Sequence, residues 1–582
     1  MSLRRIAATL AIALLPAAGV RAQTYDPAKG ESPLTLLAAP ADGVAYFETK
    51  TRARELFRAQ RYAEAEPLLQ RLAREYPRDP ENWYLLGIAQ RTLNKNAEAL
   101  VAFERAGPLM GWDLQYWNGY RVAAEKLALG DRRGAMEMLR RMIEERHGFW
   151  RQALYGDSRF AALRDDPEFL RLIGRFDAAG WTRDEGWVRD IELLHDEAKR
   201  VNPDYRGVPF PAELTRRYEQ LKRDVPRLSD EEIFVGMARM LAVLHQGHVA
   251  LWGPRGNRYL PVRFYAFPEG LYIVEADSAH RGLEGARVVS FGSMPADTAL
   301  RRLSEAQSVD GDMEYLWQVS GLAETVWLKG LGATQRTDSV RLTVQAPGQP
   351  PRTVVLATRD SARAGRQDRL VAPPGVPAPL FLRGLSQTFW HAPVPEHDAL
   401  YVQVNNLVNA QDETLAAYGR RLWGVVDTTH ARNLIVDIRH NNGGTTQLYG
   451  ELLRTLVAYS RVPGRQVWVL IGRRTYSAAG NFVTDLERLT SPVFVGEASS
   501  ECCNLYGDPV SVTLPYSGVQ GELTAVKWQL STPGDRRREI SPEVPVQLTA
   551  RAYFAGQDPA LDAIYRIIDT RRAAAAQRPA AR

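Results

Sequence analysis

From residue 399 onward, short apolar runs alternate with longer segments of helical period, and that order leaves few folds open. Leu400 to Val404 reads as a strand, Leu415 to Val426 as a helix, and Asn433 to Ile438 as a mostly apolar strand with Asp437 near its end. Tyr449 to Tyr459 is again helical, Val467 to Ile471 a buried strand, Ser477 to Leu489 a helix, and Val493 to Gly496 a strand. Strands that are apolar throughout, rather than at every second position, are buried on both faces. Strands separated by helices run the same way in one sheet. The expectation is an α/β domain over 396–570 whose mostly parallel sheet is covered on both sides.

Two loops leave the C-terminal ends of these strands, where open α/β sheets place their sites. The first is Asp437-Ile438-Arg439-His440-Asn441-Asn442-Gly443-Gly444. Its paired glycines allow positive φ and a close approach of backbone N–H groups to a ligand. The second is Thr475-Tyr476-Ser477-Ala478-Ala479-Gly480, at a strand-to-helix turn. A serine there sits in the positive field of a helix N-terminus, and the Ala478 N–H has no intrahelical partner. Each loop alone has a plain reading, the serine as an N-cap and the glycines as a turn. Together they supply a nucleophile, Ser477, and candidate oxyanion donors at Gly443, Gly444 and Ala478.

Upstream the pattern differs. Ala65 and Leu69 recur as Ala99 and Phe103, Trp83 recurs as Trp117, and Ala135 with Leu139 close a looser third copy. Small residues let paired helices approach, and large ones fill the groove between them. Over 46–145 this resembles the tetratricopeptide repeat, which implies either a concave surface for a protein partner or a helical brace for the next domain. The segment 150–250 reads as helical. Ser229 to Glu232 forms a capping box, and the apolar series Ile233 to Leu244 leads into His245-Gln246-Gly247-His248. Runs such as Leu271 to Val274 and Ala286 to Ser290, between Pro- and Gly-rich stretches, make 255–395 β-rich. The chain is therefore multi-domain, as its 582 residues suggest.

Arg4 and Arg5, the apolar stretch Ile6 to Leu15, and Val20-Arg21-Ala22 have the layout of a signal peptide over 1–22. The protein is thus expected to be exported, periplasmic or secreted, with no transmembrane segment after leader removal. A net charge of +6 without a basic–aromatic stripe excludes an evident nucleic-acid surface. The two cysteines, Cys502 and Cys503, are adjacent, so they build no disulfide framework; two small buried residues are the preferred reading over a vicinal disulfide. There is no His-Glu-x-x-His and no second cysteine cluster, so no metal or other cofactor is implied.

The joint order resembles the tail-specific, or C-terminal processing, peptidases and the related tricorn-like serine peptidases over roughly 185–570. It rests on the Asp437 to Gly444 loop and the Ser477-Ala478-Ala479 turn. It rests also on Val495-Gly496-Glu497, Leu514-Pro515-Tyr516-Ser517, Ser541 to Val546 and Gly556 to Asp562. The resemblance implies a ClpP/crotonase-like domain, a peptide or protein substrate, Ser477 as nucleophile and the Gly443/Gly444 loop at the oxyanion hole. Where many members place a lysine base this chain has Cys502, and no lysine occurs between Ser477 and Lys527. Tricorn-like members use a histidine upstream, and His248 fits that position, although Gln246 and Val249 depart from the pattern. His440 is a rival base. Asp535 lies near where relatives keep an orienting acid, with Glu497, Glu501 and Glu543 as competitors. Gly285 to Gly292 with the Thr298 to Leu303 helix resembles part of a PDZ module whose carboxylate-binding loop is not recognisable. Two functions follow: a serine-type peptidase using Ser477 and His248, or an inactive peptidase-like scaffold that recruits partners through its repeats.

Overall fold

The computed structural model describes residues 40–145, 151–360 and 369–576. The leader over 1–22 lies outside them. The chain divides into two compact units between Arg175 and Phe176.

The first unit opens with six helices, Gly43–Arg58, Tyr62–Glu75, Pro80–Thr92, Asn96–Ala106, Trp112–Ala128 and Arg132–Glu145. Asp42 and Asp79 cap the first and third, each accepting backbone N–H groups left free at a helix start. Six of the recurring positions point inward: Ala65, Ala99 and Ala135 are buried, as are Leu69, Phe103 and Leu139, whereas Trp117 is 44% exposed. Gly87 shows why a small residue recurs there, because a Cβ would stand 2.6 Å from the Phe103 ring. Short turns over 151–175 then pack Leu154, Phe160, Leu163 and Phe169 onto Tyr120, Leu139 and Ile143. The division between units therefore falls inside the 150–250 segment that the sequence reading treats as one piece.

In the second unit, the capping boxes Thr182/Glu185 and Ser229/Glu232 start the helices Arg183–Val201 and Asp230–Ala242. An antiparallel sheet follows in the order Val262–Phe267, Gly270–Ala276, Arg287–Phe291, Ser339–Gln345, Arg352–Ala357. The helix Ala296–Ser304 comes between its third and fourth strands. The site is positioned by a six-stranded sheet, ordered Val544–Pro545, Val493–Gly496, Gln466–Ile471, Asn433–Asp437, Ala399–Val404, Phe389–Val394. All neighbours are parallel except the edge strand Phe389–Val394.

Residues of one parity face one layer. Leu400, Val402, Leu434, Val436, Val467 and Val469 pack on Leu415, Leu422, Leu452, Leu456 and Phe482 from three helices. The other parity, Tyr401, Ile435, Trp468 and Leu470, packs on Leu561, Ile564 and Ile568 of the C-terminal helix Pro559–Ala576. Double coverage explains the unbroken apolar runs. Among the described residues no helix is long and apolar enough to cross a membrane, and no His, Cys, Asp and Glu cluster suits a metal ion.

Leu456 is fully buried in this layer whereas Trp423 is 40% exposed. Leu456→Ala should cost about 2–5 kcal/mol in urea unfolding, by lost transfer energy and the cavity left behind. Trp423→Ala should stay within about 0.5 kcal/mol of wild type.

Candidate active site

Ser477 follows the strand Gln466–Ile471 and directly precedes the helix Ala478–Leu489. Its backbone has φ 57° and ψ −127°, a region that side chains disfavour and that costs of order 1–3 kcal/mol. The turn is held from several sides. Thr475 Oγ1 donates to the Ile438 carbonyl at 3.2 Å, and Tyr476 N–H donates to the Asn441 carbonyl at 3.2 Å. Ser477 N–H donates to Glu501 Oε2 at 2.6 Å. The Ser477 side chain makes no cap bond to its helix. Its Oγ instead lies 2.9 Å from His248 Nε2.

His248 arrives from the far end of the helix Asp230–Ala242, in a turn where His245 and His248 both take positive φ. Ser308 pins this turn: its Oγ accepts the Gln246 N–H at 2.9 Å and donates to the Gln246 carbonyl at 2.8 Å. Gln246 is buried and faces Asn202 and Asp204. His248 Nδ1 lies 3.0 Å from Tyr476 Oη and 3.4 Å from Glu501 Oε1. Burial pushes the His248 pKa below its usual value, against the nearby Asp310 carboxylate, which raises it. The imidazole is therefore neutral and able to accept a proton at neutral pH.

Several expected residues take other roles. Asp535 is not brought to His248. It binds Arg537 and accepts the Ser531 hydroxyl at 2.7 Å, and the arginine holds its carboxyl far below the usual range. Glu497 pairs with Arg473, and Glu543 accepts the Phe494 N–H. Glu501, placed among the competitors, is the acid beside the histidine. The rival base His440 is buried and stacked on Phe381, with its pKa pushed down to about 3 by burial and then by Arg439, Arg474 and Arg369. Cys502 and Cys503 are bonded to each other as well as buried, which corrects the expectation of two unlinked residues. Asp437 is structural: it binds Arg439, which also grips Asp558, and it accepts the Tyr401 hydroxyl.

The two loop glycines divide their work. Gly443, at φ 109°, lies against the nucleophile; a Cβ there would stand 2.7 Å from Ser477 Cβ and 3.1 Å from its Oγ. Its N–H is committed to Asn441 Oδ1 at 3.0 Å, which corrects its assignment as an oxyanion donor. Gly444, at φ 140°, presses on Leu407, whose carbonyl would be 2.4 Å from a Cβ. Leu407 N–H and carbonyl bond Gly443 and Thr445 on either side. The Ala478 N–H opens its helix without an intrahelical partner and adjoins the nucleophile.

Asp310, Glu314 and Tyr476 also surround the site and were not legible as site residues. Glu314 and Glu501 are fully enclosed and titrate well above the usual carboxyl range, because of burial and because they face other carboxyls. Asp310 belongs to a loop that no sequence motif marks. Tyr476 stands beside the serine, and only geometry gives it a partner.

No family model matches the chain, and no curated protein matches it. Solved structures do. A mutant of CPAF is 11% identical, covering 66% of this chain and 97% of its own, at a TM-score of 0.50. Mature CPAF complexed with lactacystin is 12% identical, over 66% of this chain and 98% of its own, at 0.49. The photosystem II D1 C-terminal processing protease is 16% identical, over 67% and 97%, at 0.31. Over that 66% of its length the chain shares the CPAF fold.

Gly443→Ala should abolish any activity of Ser477 and also lower stability, because its φ of 109° suits glycine and the added Cβ would meet Ser477 Cβ at 2.7 Å and the Ala478 nitrogen at 3.1 Å. Gly444→Ala should lower stability by a similar amount, about 2 kcal/mol or more, through its clash with the Leu407 backbone, while leaving the Ser477 hydroxyl unobstructed. A thermal melt of both variants beside a turnover assay checks the contrast. Because the His248 pKa is depressed, the base remains unprotonated into mild acid. The acid limb of kcat/KM should fall below about pH 6.5, and a pH–rate profile measures it.

Proposed function

We propose that this chain is an exported serine-type peptidase of the tail-specific or tricorn-like kind. The observation that carries the reading is the 2.9 Å approach of His248 Nε2 to Ser477 Oγ. That serine has a strained backbone and a side chain that leaves its helix uncapped. A serine serving only as an N-cap would bond its own helix.

In this reading His248 removes the Ser477 hydroxyl proton as Oγ attacks the peptide carbonyl. The developing oxyanion is met by the Ala478 N–H at the helix start, beside the Gly443–Gly444 loop. An acyl-enzyme forms, His248 protonates the leaving amine, and water completes the cycle. A pocket lined by His248, Tyr476, Leu251, Trp252 and Trp317 lies beside the dyad and offers an apolar wall for a substrate side chain. The signal-peptide layout of 1–22 supports export to the periplasm or beyond. The repeat pattern over 46–145 supports a tetratricopeptide-like surface for a protein partner. The alternative, an inactive scaffold, has its motive in the absent lysine and the altered His248 segment; the 2.9 Å His248–Ser477 approach supports the peptidase reading instead.

Ser477→Ala should lower peptide cleavage by at least about 10³-fold with the fold intact. A fluorophosphonate should label Ser477 in the wild type and not in this variant, as read by peptide mass spectrometry. Cleavage undiminished in Ser477→Ala would remove the serine from the mechanism.

A further inference from the structure

For His248 Nε2 to accept a proton, the imidazole must carry its own proton on Nδ1, and an acceptor at Nδ1 fixes that tautomer. A lone carboxylate commonly fills that place in serine triads. Here Tyr476 Oη lies 3.0 Å from Nδ1 and also accepts the His248 main-chain N–H at 2.7 Å. The same hydroxyl oxygen thus fixes the ring and its backbone. The Tyr476 ring lies along the imidazole, with centroids 4.5 Å apart and planes inclined by 22°. Behind it stands Glu501, with Oε1 3.4 Å from Nδ1 and Oε2 on the Ser477 N–H. Asp310 completes the group: it accepts the Tyr506 N–H at 3.0 Å and faces Glu501, whose buried Oε1 has no other hydrogen-bond partner.

We propose that Tyr476, backed by the Glu501–Asp310 carboxyl pair, is the positioning group of His248 and offsets the charge that the imidazole gains. The proposal rests on the Ser477–His248 reading above. As Ser477 Oγ bonds to the carbonyl carbon, its proton passes to Nε2 and the carbonyl π electrons move onto oxygen. Nδ1–H stays in place and donates to Tyr476 Oη, while the Tyr476 O–H donates to Glu501. When the intermediate collapses, the C–N bond breaks and the Nε2 proton leaves with the amine.

The carboxyl pair supplies one negative charge. Burial, and then Asp310, hold the Glu501 carboxyl well above the usual range; burial raises Asp310 as well, but main-chain N–H groups of Gly247 and Tyr506 favour its charge, so Glu501 is the member that keeps the proton. Two carboxyls in one dry site share a proton rather than both ionise. Asp310 is the foremost group favouring the imidazolium, followed by Glu522, Asp508 and the Tyr506 main-chain carbonyl. Glu314 faces Glu501 and Asp310 from the far side and is itself held neutral by burial.

The test uses the full chain with a fluorophosphonate and a peptide substrate. Wild-type Ser477 must be labelled; an unlabelled wild type would overturn the Ser477–His248 reading and this proposal with it. In Tyr476→Phe, kcat and the labelling rate should fall roughly 10²-fold with KM unchanged, the scale of a mis-set general base. In Asp310→Asn the acid limb of kcat/KM should move to lower pH, because losing the facing charge favours the neutral imidazole. A labelled wild type with Tyr476→Phe within about threefold of it, and an Asp310→Asn limb at the wild-type pH, would overturn the proposal and leave the dyad standing. Circular dichroism checks folding, and if Tyr476→Phe does not fold, the Asp310→Asn limb decides.

Discussion

The hydrogen bond from the Ser477 N–H to Glu501, at 2.6 Å, holds a backbone that serine does not adopt unaided. Much of the site depends on it. The strained turn throws Oγ out of the helix axis and away from the free N–H groups it would otherwise cap. It leaves the Ala478 N–H beside the nucleophile. The same carboxyl faces the histidine, so one buried side chain registers nucleophile and base against each other. Such strain persists where its surroundings over-determine it, and here they do. Asn441, Ile438 and Glu501 come from two other strand ends and grip three consecutive residues.

That grip requires the strand ends to be in register. Asp437 pairs with Leu470 on one side and Gln403 on the other, so the glycine loop and the serine turn leave the sheet at one level. Two buried apolar layers fix this level, since a one-residue slip would exchange them. The charged pairs just above the sheet, Arg439 with Asp437 and Asp558, and Arg473 with Glu497, add direction more than energy. Buried ion pairs contribute little net stability, but breaking one is costly.

The sheet could be read from the sequence because burial on both faces writes itself as runs such as Val467 to Ile471. The repeat positions were readable for a similar reason: each Ala65-type and Leu69-type residue meets the same steric demand. The Ser477 turn and the His248 segment were legible as motifs. Their surroundings were not. Asp310 and Glu314 come from a connecting segment with no period, and their effect arises from burial, which composition does not report. Asp535 shows that position along the chain is not proximity, since Arg537, two residues on, captures it. Gly443 misled because its N–H has a local acceptor in Asn441, a bond that a glycine count does not reveal.

The proposed histidine base has a structural setting. Cys502 is 1% exposed, tied to Cys503 and packed in the layer that contains Phe482. A lysine there would bury an ammonium among apolar side chains, at a cost only deprotonation or a partner could offset. In the proposed reading the base instead comes from 229 residues earlier in the chain. The price is dependence on distant docking. His248 is in reach only because Ser308 pins its turn and Tyr476 holds its main chain. A lysine base carried near the nucleophile in sequence needs no such assembly. Here the dyad exists only when the helix Asp230–Ala242, the segment around Ser308 and the α/β sheet are folded together, so the site is a property of the whole second unit rather than of the sheet alone.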